Sequence, residues 1–412
     1  MLIRNARLWD ATGAAPRANS TLRTEGERIA WIGPAALAPR AAPEEPEVDA
    51  AGRWLLPGLI DLHVHLTFDV DAGDIRTSFA AWPVAEQALM GAKHARQLLE
   101  SGFTSARDCG AIGWANVALK RAIDAGWVPG PRLQTAGGPL TVLGGHFDPV
   151  FRPEVTVPAG GVVDGPDGAR QAVRREVKRG ADWIKLLVTG GVLTGNTPLS
   201  RSLWDEAELQ AAVAAARRLG RKVAAHCHGA EGIVAAAEAG VSTIEHGTMG
   251  DEATAAAMAR NGTVLVPTFT AAASVVRWAR AGTLPEAVAR QALSIERTHG
   301  EAFRAALDAG VRVAFGTDTG VPGTSFAENA GELSFLVQNG MSPEAALLAA
   351  TRDAAAVLGQ EDAVGRLAEG MLADCLLLAA DPLEDAGALG RAAGVHLVVK
   401  GGAVAADRRP ER

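Results

Sequence analysis

The chain has 412 residues, 48% of them hydrophobic, which is enough for one large domain and a smaller companion. Its 47 acidic and 40 basic residues give a net charge of −7 with no basic stripe, which argues for solubility and against a nucleic-acid surface. Cys109, Cys227 and Cys375 lie too far apart for a disulfide framework or zinc-finger spacing.

The N-terminus "MLIRNARLWDATG" is not a charged head followed by an apolar signal core, and no apolar run reaches the ~18 residues of a membrane span. The expectation is a soluble cytoplasmic protein with no membrane partner. There are nine Trp and ten Phe but no Tyr, so no site here can use a phenol hydroxyl.

In chain order, "MLIRNARLWD", "STLRTEGERIAWIG" and "EVDAAGRWLLPG" carry the alternation of short strands, with the Pro-rich "ALAPRAAPEEPE" as an exposed loop. The C-terminal "GRLAEGMLADCLLLAADP" and "VHLVVKGGAVA" read as strand–turn–strand. Residues 1–57 with 358–412 are therefore predicted to build one small β-sandwich domain from both ends of the chain.

Residues 58–357 alternate short apolar runs with Ala-rich amphipathic stretches. The predicted strands are "LIDLHVHL", "FTSARDCG", "RLQTAGG", "DWIKLLVTGG", "KVAAHCHG", "VSTIEHG", "TVLVPTF" and "VRVAFGTDTG". Helical segments such as "WDEAELQAAVAAARRLGR" separate most of them, which predicts an α/β fold, a (β/α)8 TIM-type barrel.

Chemistry in such a barrel sits where the strands end, and polar residues gather there. His63 and His65 close strand 1, and His146 lies in the loop after strand 3. Lys185 is in strand 4, His226 and His228 close strand 5, His246 closes strand 6 and Asp318 closes strand 8. Residues two apart on a strand face the same side, so His63 and His65 point inward together. Two such imidazoles, two more from neighbouring strands and one carboxylate form a cage for two divalent ions, with Zn²⁺ suited to nitrogen and oxygen donors. Lys185 is an ammonium in an apolar strand, which is costly. It could be paired with a carboxylate, have a lowered pKa, or react with CO₂ to give a carbamate that bridges two cations. Cys227, between two inward histidines, is expected to face the opposite side and pack on a helix.

The ordered set "LLPGLIDLHVH", the strand-4 lysine, "HCHG", "EHG" and "GTD" resembles the metal-dependent amidohydrolase superfamily over essentially the whole chain. The likeness is to its imidazolonepropionase-like and Xaa-Pro dipeptidase-like branch, which includes ochratoxin-type amide hydrolases. The resemblance implies that His63, His65 and Asp318 hold one ion and His226 and His246 the other, with carboxylated Lys185 bridging them. It further implies attack by a bridging hydroxide, with Asp318 as general base and then acid. His146 would contact the carbonyl oxygen or oxyanion, and His228 a substrate carboxylate. Some relatives have Tyr at the position of His228, which this chain cannot match.

The implied substrate is a small amide: a dipeptide, an N-acyl amino acid or an ochratoxin-like amide. A homo-oligomer is expected as in other family members. The alternatives are a hydrolase or deaminase of the same superfamily acting on a cyclic amide, urea, lactone or aminated ring, and a non-catalytic scaffold. Mononuclear deaminases of this fold usually lack the strand-4 lysine, and scaffolds typically lose ligands. Substrate choice is expected to rest on loops such as "TFDVDAGDIRTSFAAWP" and "TFTAAASVVRWARAG", and "VTGGVLTGNTPLS" is expected to bring backbone close to the ligand.

Overall fold

The computed structural model describes residues 1–72, 79–148, 161–194, 197–390 and 394–409. The chain opens with strands β1 (Leu2–Leu8), β2 (Arg17–Glu25), β3 (Arg28–Pro34), β4 (Glu47–Asp49) and β5 (Trp54–Pro57). The middle contributes β6 (Leu59–Val64), β7 (Phe103–Asp108), β8 (Arg132–Thr135), β9 (Leu140–Val142) and β10 (Gly161–Val163). It continues with β11 (Trp183–Leu187), β12 (Lys222–Gly229), β13 (Thr243–Met249) and β14 (Val264–Val266). Strands β15 (Cys375–Leu378), β16 (Val395–Lys400) and β17 (Ala403–Asp407) follow near the C-terminus.

Strands from both ends of the chain form one eight-stranded sheet in the order β17-β16-β15-β5-β1-β2-β3, with β4 paired to β1. The join is the antiparallel β5–β15 pair, in which Leu55 faces Leu377. Ile3, Leu8, Leu22, Leu55, Leu377 and Val399 pack on one face of this sheet.

The middle strands pair in parallel as a six-stranded sheet, β10-β9-β11-β12-β13-β14, and a three-stranded sheet, β6-β7-β8. Every residue of β6, β7 and β11 is buried, as expected of parallel strands covered on both faces. The connecting helices carry local start and stop signals. A capping box between Asp205 and Glu208 opens the helix Glu206–Arg218. Gly180, at φ 111°, ends the helix Gly165–Arg179 and turns the chain into β11.

The predicted eighth strand, "VRVAFGTDTG", differs from expectation. It is not a regular strand, and it holds isolated parallel bridges, among them Val313 to Leu265 and Thr319 to Val64. Asp318 (φ 57°) and Gly320 (φ 127°) break the extended backbone that a regular ladder needs. The segment still bonds to both sides: Ala314 N–H donates to Leu265 C=O at 2.9 Å and Asp318 N–H to His63 C=O at 2.7 Å. Asp182 N–H donates to Thr135 C=O at 2.7 Å, linking the start of β11 to the end of β8. Among the described residues no helix is long and apolar enough to cross a membrane.

Candidate active site

His63, His65, His146, Lys185, His226, His228, His246 and Asp318 all line one cavity. It offers about 100 Å³ of open space, where one water-sized body needs roughly 10–15 Å³. Metal ions and a small ligand can therefore share it. The histidine rings form a connected set, with centroids 5.1 Å apart for His63 and His246, 4.5 Å for His226 and His246, and 4.6 Å for His146 and His226. Asp318 Oδ1 is 3.3 Å from Nε2 of both His63 and His65. Lys185 Nζ, on a side chain 2% exposed, lies 3.3 Å from His63 Nε2.

The partners behind each ring decide which nitrogen faces the cavity. His63 Nδ1 meets the Glu245 carboxylate at 2.8 Å, His65 Nδ1 the Gly110 carbonyl at 2.8 Å, and His226 Nε2 the Gly190 carbonyl at 3.2 Å. Each of these partners accepts only, so the ring nitrogen beside it carries the proton and the other nitrogen keeps its lone pair. His246 Nδ1 meets Thr268 Oγ1 at 2.7 Å, and that hydroxyl donates to the Pro267 carbonyl at 2.7 Å. Thr268 therefore accepts from His246 as well. The lone pairs left over are Nε2 of His63, His65 and His246, and Nδ1 of His226. His146 Nδ1 and His228 Nδ1 instead meet the hydroxyls of Thr194 and Thr248, which can donate or accept.

Burial favours the neutral form of five of these rings. It pushes His63 down to about 4 and both His146 and His228 down to about 3, and it lowers His226 and His246 well below the ordinary value. Asp318 is the reverse case. Burial raises its pKa, but the polar groups around it, His63, His65 and Lys185, outweigh this and lower it below the ordinary value.

Several groups that matter here carry no motif. Glu245 is fully buried, and the Arg107 guanidinium donates to its Oε1 at 2.7 Å. Burial would raise its pKa, yet Arg107 and His63 hold it well below the carboxylate range. Glu245 is visible in "TIEHG", but strand alternation would send adjacent residues to opposite faces. His246 joins Glu245 on the interior side because its backbone is left-handed, at φ 75°. Phe147 (φ 66°), Thr268 (φ 55°) and Asp318 (φ 57°) are also left-handed, so four positions around the cavity hold a conformation uncommon outside glycine.

Asp61, also buried, accepts from His63 N, Thr317 N, Thr317 Oγ1 and Asn329 Nδ2, tying β6 to the segment before Asp318. Cys109 lines the cavity beside His63, with a thiol that burial pushes up to about 12. Cys227 faces the helix Ala230–Ala239, 3.6 Å from the Gly232 carbonyl, as the alternation of β12 predicts.

The other histidines lie elsewhere: His94 and His299 are buried against Phe326 and Phe269, and His396 is in β16. Residues 73–78 of the loop after strand 1, and Gly195 and Asn196 of the loop after strand 4, lie outside the described residues.

The donor set fits a divalent metal. One ligand atom each from His63, His246 and Asp318 lies within 4.8 Å of the others. Neutral rings with inward lone pairs, a carboxylate and a buried lysine with an imidazole neighbour match the nitrogen and oxygen chemistry such ions select.

Comparison with known proteins agrees with this chemistry. The model of the amidohydrolase family matches residues 54–405. The ochratoxinase of Aspergillus niger is 32% identical, over 94% of this chain and 83% of that protein. The imidazolonepropionase of Streptomyces avermitilis is 28% identical, over 90% of this chain and 84% of that protein. The crystal structure of a Xaa-Pro dipeptidase with bound methionine in the active site superposes with a TM-score of 0.89 and 34% identity, covering 98% of both chains.

The chain belongs to the amidohydrolase family. It has the α/β fold of that TIM-barrel superfamily, and it is a hydrolase of carbon–nitrogen bonds of the amide type. The family is generally metal-dependent.

Proposed function

We propose that this hydrolase cleaves the amide bond of a dipeptide or N-acyl amino acid with a free carboxylate, using two divalent ions, zinc by preference. The observation that carries this reading is the set of four imidazoles whose lone pairs are directed inward around Lys185 and Asp318. The ochratoxinase and the Xaa-Pro dipeptidase support the substrate class. In this reading residues 58–357 close as a (β/α)8 barrel, and residues 1–57 with 358–412 form a small β-sandwich beside it.

His63, His65 and Asp318 would hold one ion and His226 and His246 the other, with Lys185, carboxylated on Nζ, shared between them. When bound, the ions supply an acidified water and Lewis-acid polarisation of the substrate carbonyl. Asp318, whose carboxyl is held below its ordinary pKa, takes a proton from the attacking water on its carboxylate and passes it to the leaving amine nitrogen. Neutral His146, with its Nδ1 held by Thr194, presents Nε2 to the carbonyl oxygen. His228, held by Thr248, reads the substrate carboxylate by hydrogen bonding and not as a cation.

Protein prepared with zinc and bicarbonate should contain close to two ions per chain by elemental analysis, and should turn over members of a dipeptide and N-acyl amino acid panel. Lys185→Ala should lose metal and lower kcat by at least a thousandfold. A single ion per chain, or a fully active Lys185→Ala enzyme, would refute the binuclear reading.

A further inference from the structure

The cavity extends from the histidine cluster into a cleft of different character. Its walls are Val192 and Leu193 of the turn after β11, Ala271, Ala272 and Val275 of the helix Phe269–Arg280, and Ile295 of the helix Glu286–Asp308. Val192, Val275 and Ile295 belong to one buried apolar cluster, against which Leu193 and Ala272 pack. The flank beside His65 is aromatic instead: Phe68 stacks on the His65 ring at 4.6 Å, and Phe147 on Phe68 at 5.9 Å. One side of the cavity is thus flat and aromatic, and the other is a branched-aliphatic slot.

The slot is held in shape. Glu332 accepts from Phe269 N at 2.8 Å and Thr270 N at 2.7 Å, fixing the first turn of the helix that carries Ala271 and Ala272. Alanine at these two positions leaves the space open, and a longer side chain at Ala272 would project into it. A charged substrate group placed there would lose its water without gaining a partner, whereas an aliphatic group would be buried at a profit in hydration.

We propose that this cleft receives a compact, uncharged aliphatic side group on one side of the scissile amide, and that Ala271 and Ala272 set its size. The proposal rests on the amide-hydrolase reading and narrows its substrates. A well-buried aliphatic group is expected to be worth roughly 10- to 200-fold in kcat/KM.

The test uses the zinc-loaded enzyme, its Ala272→Leu and Val275→Thr variants, and the dipeptides Gly-Gly, Leu-Gly, Gly-Leu, Asp-Gly and Gly-Asp. Wild type should favour one leucyl dipeptide over both the diglycine and the matching aspartyl dipeptide by at least about tenfold. Ala272→Leu should collapse that leucine-to-glycine ratio towards one. Val275→Thr, which is nearly isosteric, should lower the same ratio even if the larger substitution impairs folding.

Calorimetry with free leucine, glycine and aspartate provides a readout that does not require turnover. Leucine binding that Ala272→Leu abolishes, in a protein that cleaves none of the dipeptides, supports the cleft and sinks the dipeptide reading. Cleavage of all five at similar rates, or an unchanged ratio in both variants, overturns the cleft and leaves the amide reading standing.

Discussion

On the β6 side of the cavity, His63 is backed by a carboxylate that is itself locked by a guanidinium, in the chain His63–Glu245–Arg107. On the β12–β13 side, His226 and His246 are backed by a backbone carbonyl and a threonine hydroxyl. Both arrangements leave a ring lone pair facing the cavity, on Nε2 of His63 and His246 and on Nδ1 of His226, but only the first adds negative charge behind the ring. A carboxylate raises the basicity of the facing nitrogen, so under the proposed two-ion reading the two halves of the site would bind cations with unequal strength. The buried Glu245–Arg107 pair also makes the first half part of the stability of the fold, because removing one partner strands the other charge.

The largest effect that would test this contrast belongs to Glu245→Gln. It should weaken metal binding about 10- to 100-fold and destabilise the protein by roughly 3 kcal/mol through the unpaired Arg107. Chelator competition and denaturant unfolding read the two effects separately. Thr268→Val should weaken metal binding by no more than about tenfold, with a stability loss of only about 1 kcal/mol. Equal losses in the two variants would show that the charge behind His63 makes no difference.

A finer test lies one step behind the second half. Glu332 is buried on the amides of Phe269 and Thr270, and burial pushes its carboxyl from the ordinary 4.5 up to about 8. A raised carboxyl favours the protonated fold. Its contribution is therefore full below pH 4.5 and is lost as the pH rises through about 8. Unfolding at pH 5, 7 and 9 should show wild type losing stability relative to Glu332→Gln. A difference that stays constant across this range would mean that the Glu332 proton plays no part.

Much of this organisation is legible in the residues. The alternation that puts His63 and His65 on one face, and Cys227 opposite His226, follows from the two-residue strand period. The convergence of eight scattered residues follows from placing active groups at parallel strand ends. The Glu245–Arg107 pair is not legible, because β7 and β13 are far apart in sequence and neither residue belongs to a metal pattern. Nor is the irregular backbone around Asp318. "VRVAFGTDTG" has the composition of a strand, but the bonds from Thr317 to Asp61 and the left-handed Asp318 outweigh its local preference. The tautomers depend on Thr268, Gly110 and Gly190, whose roles arise only once loops meet.

The antiparallel join of β5 and β15 has a bearing on how the molecule forms. Leu55 must wait for Leu377, more than three hundred residues downstream, before that edge of the terminal sheet can close. During synthesis, β1, β2 and β3 can pair locally as they emerge, while β5 leaves the ribosome long before β15 exists. The intervening segment, with the strands that carry the histidines, is complete by then and can collapse first, as chains of this size tend to do region by region. The terminal sheet is then the last clasp to fasten, and the loop it closes is already shortened by folded structure.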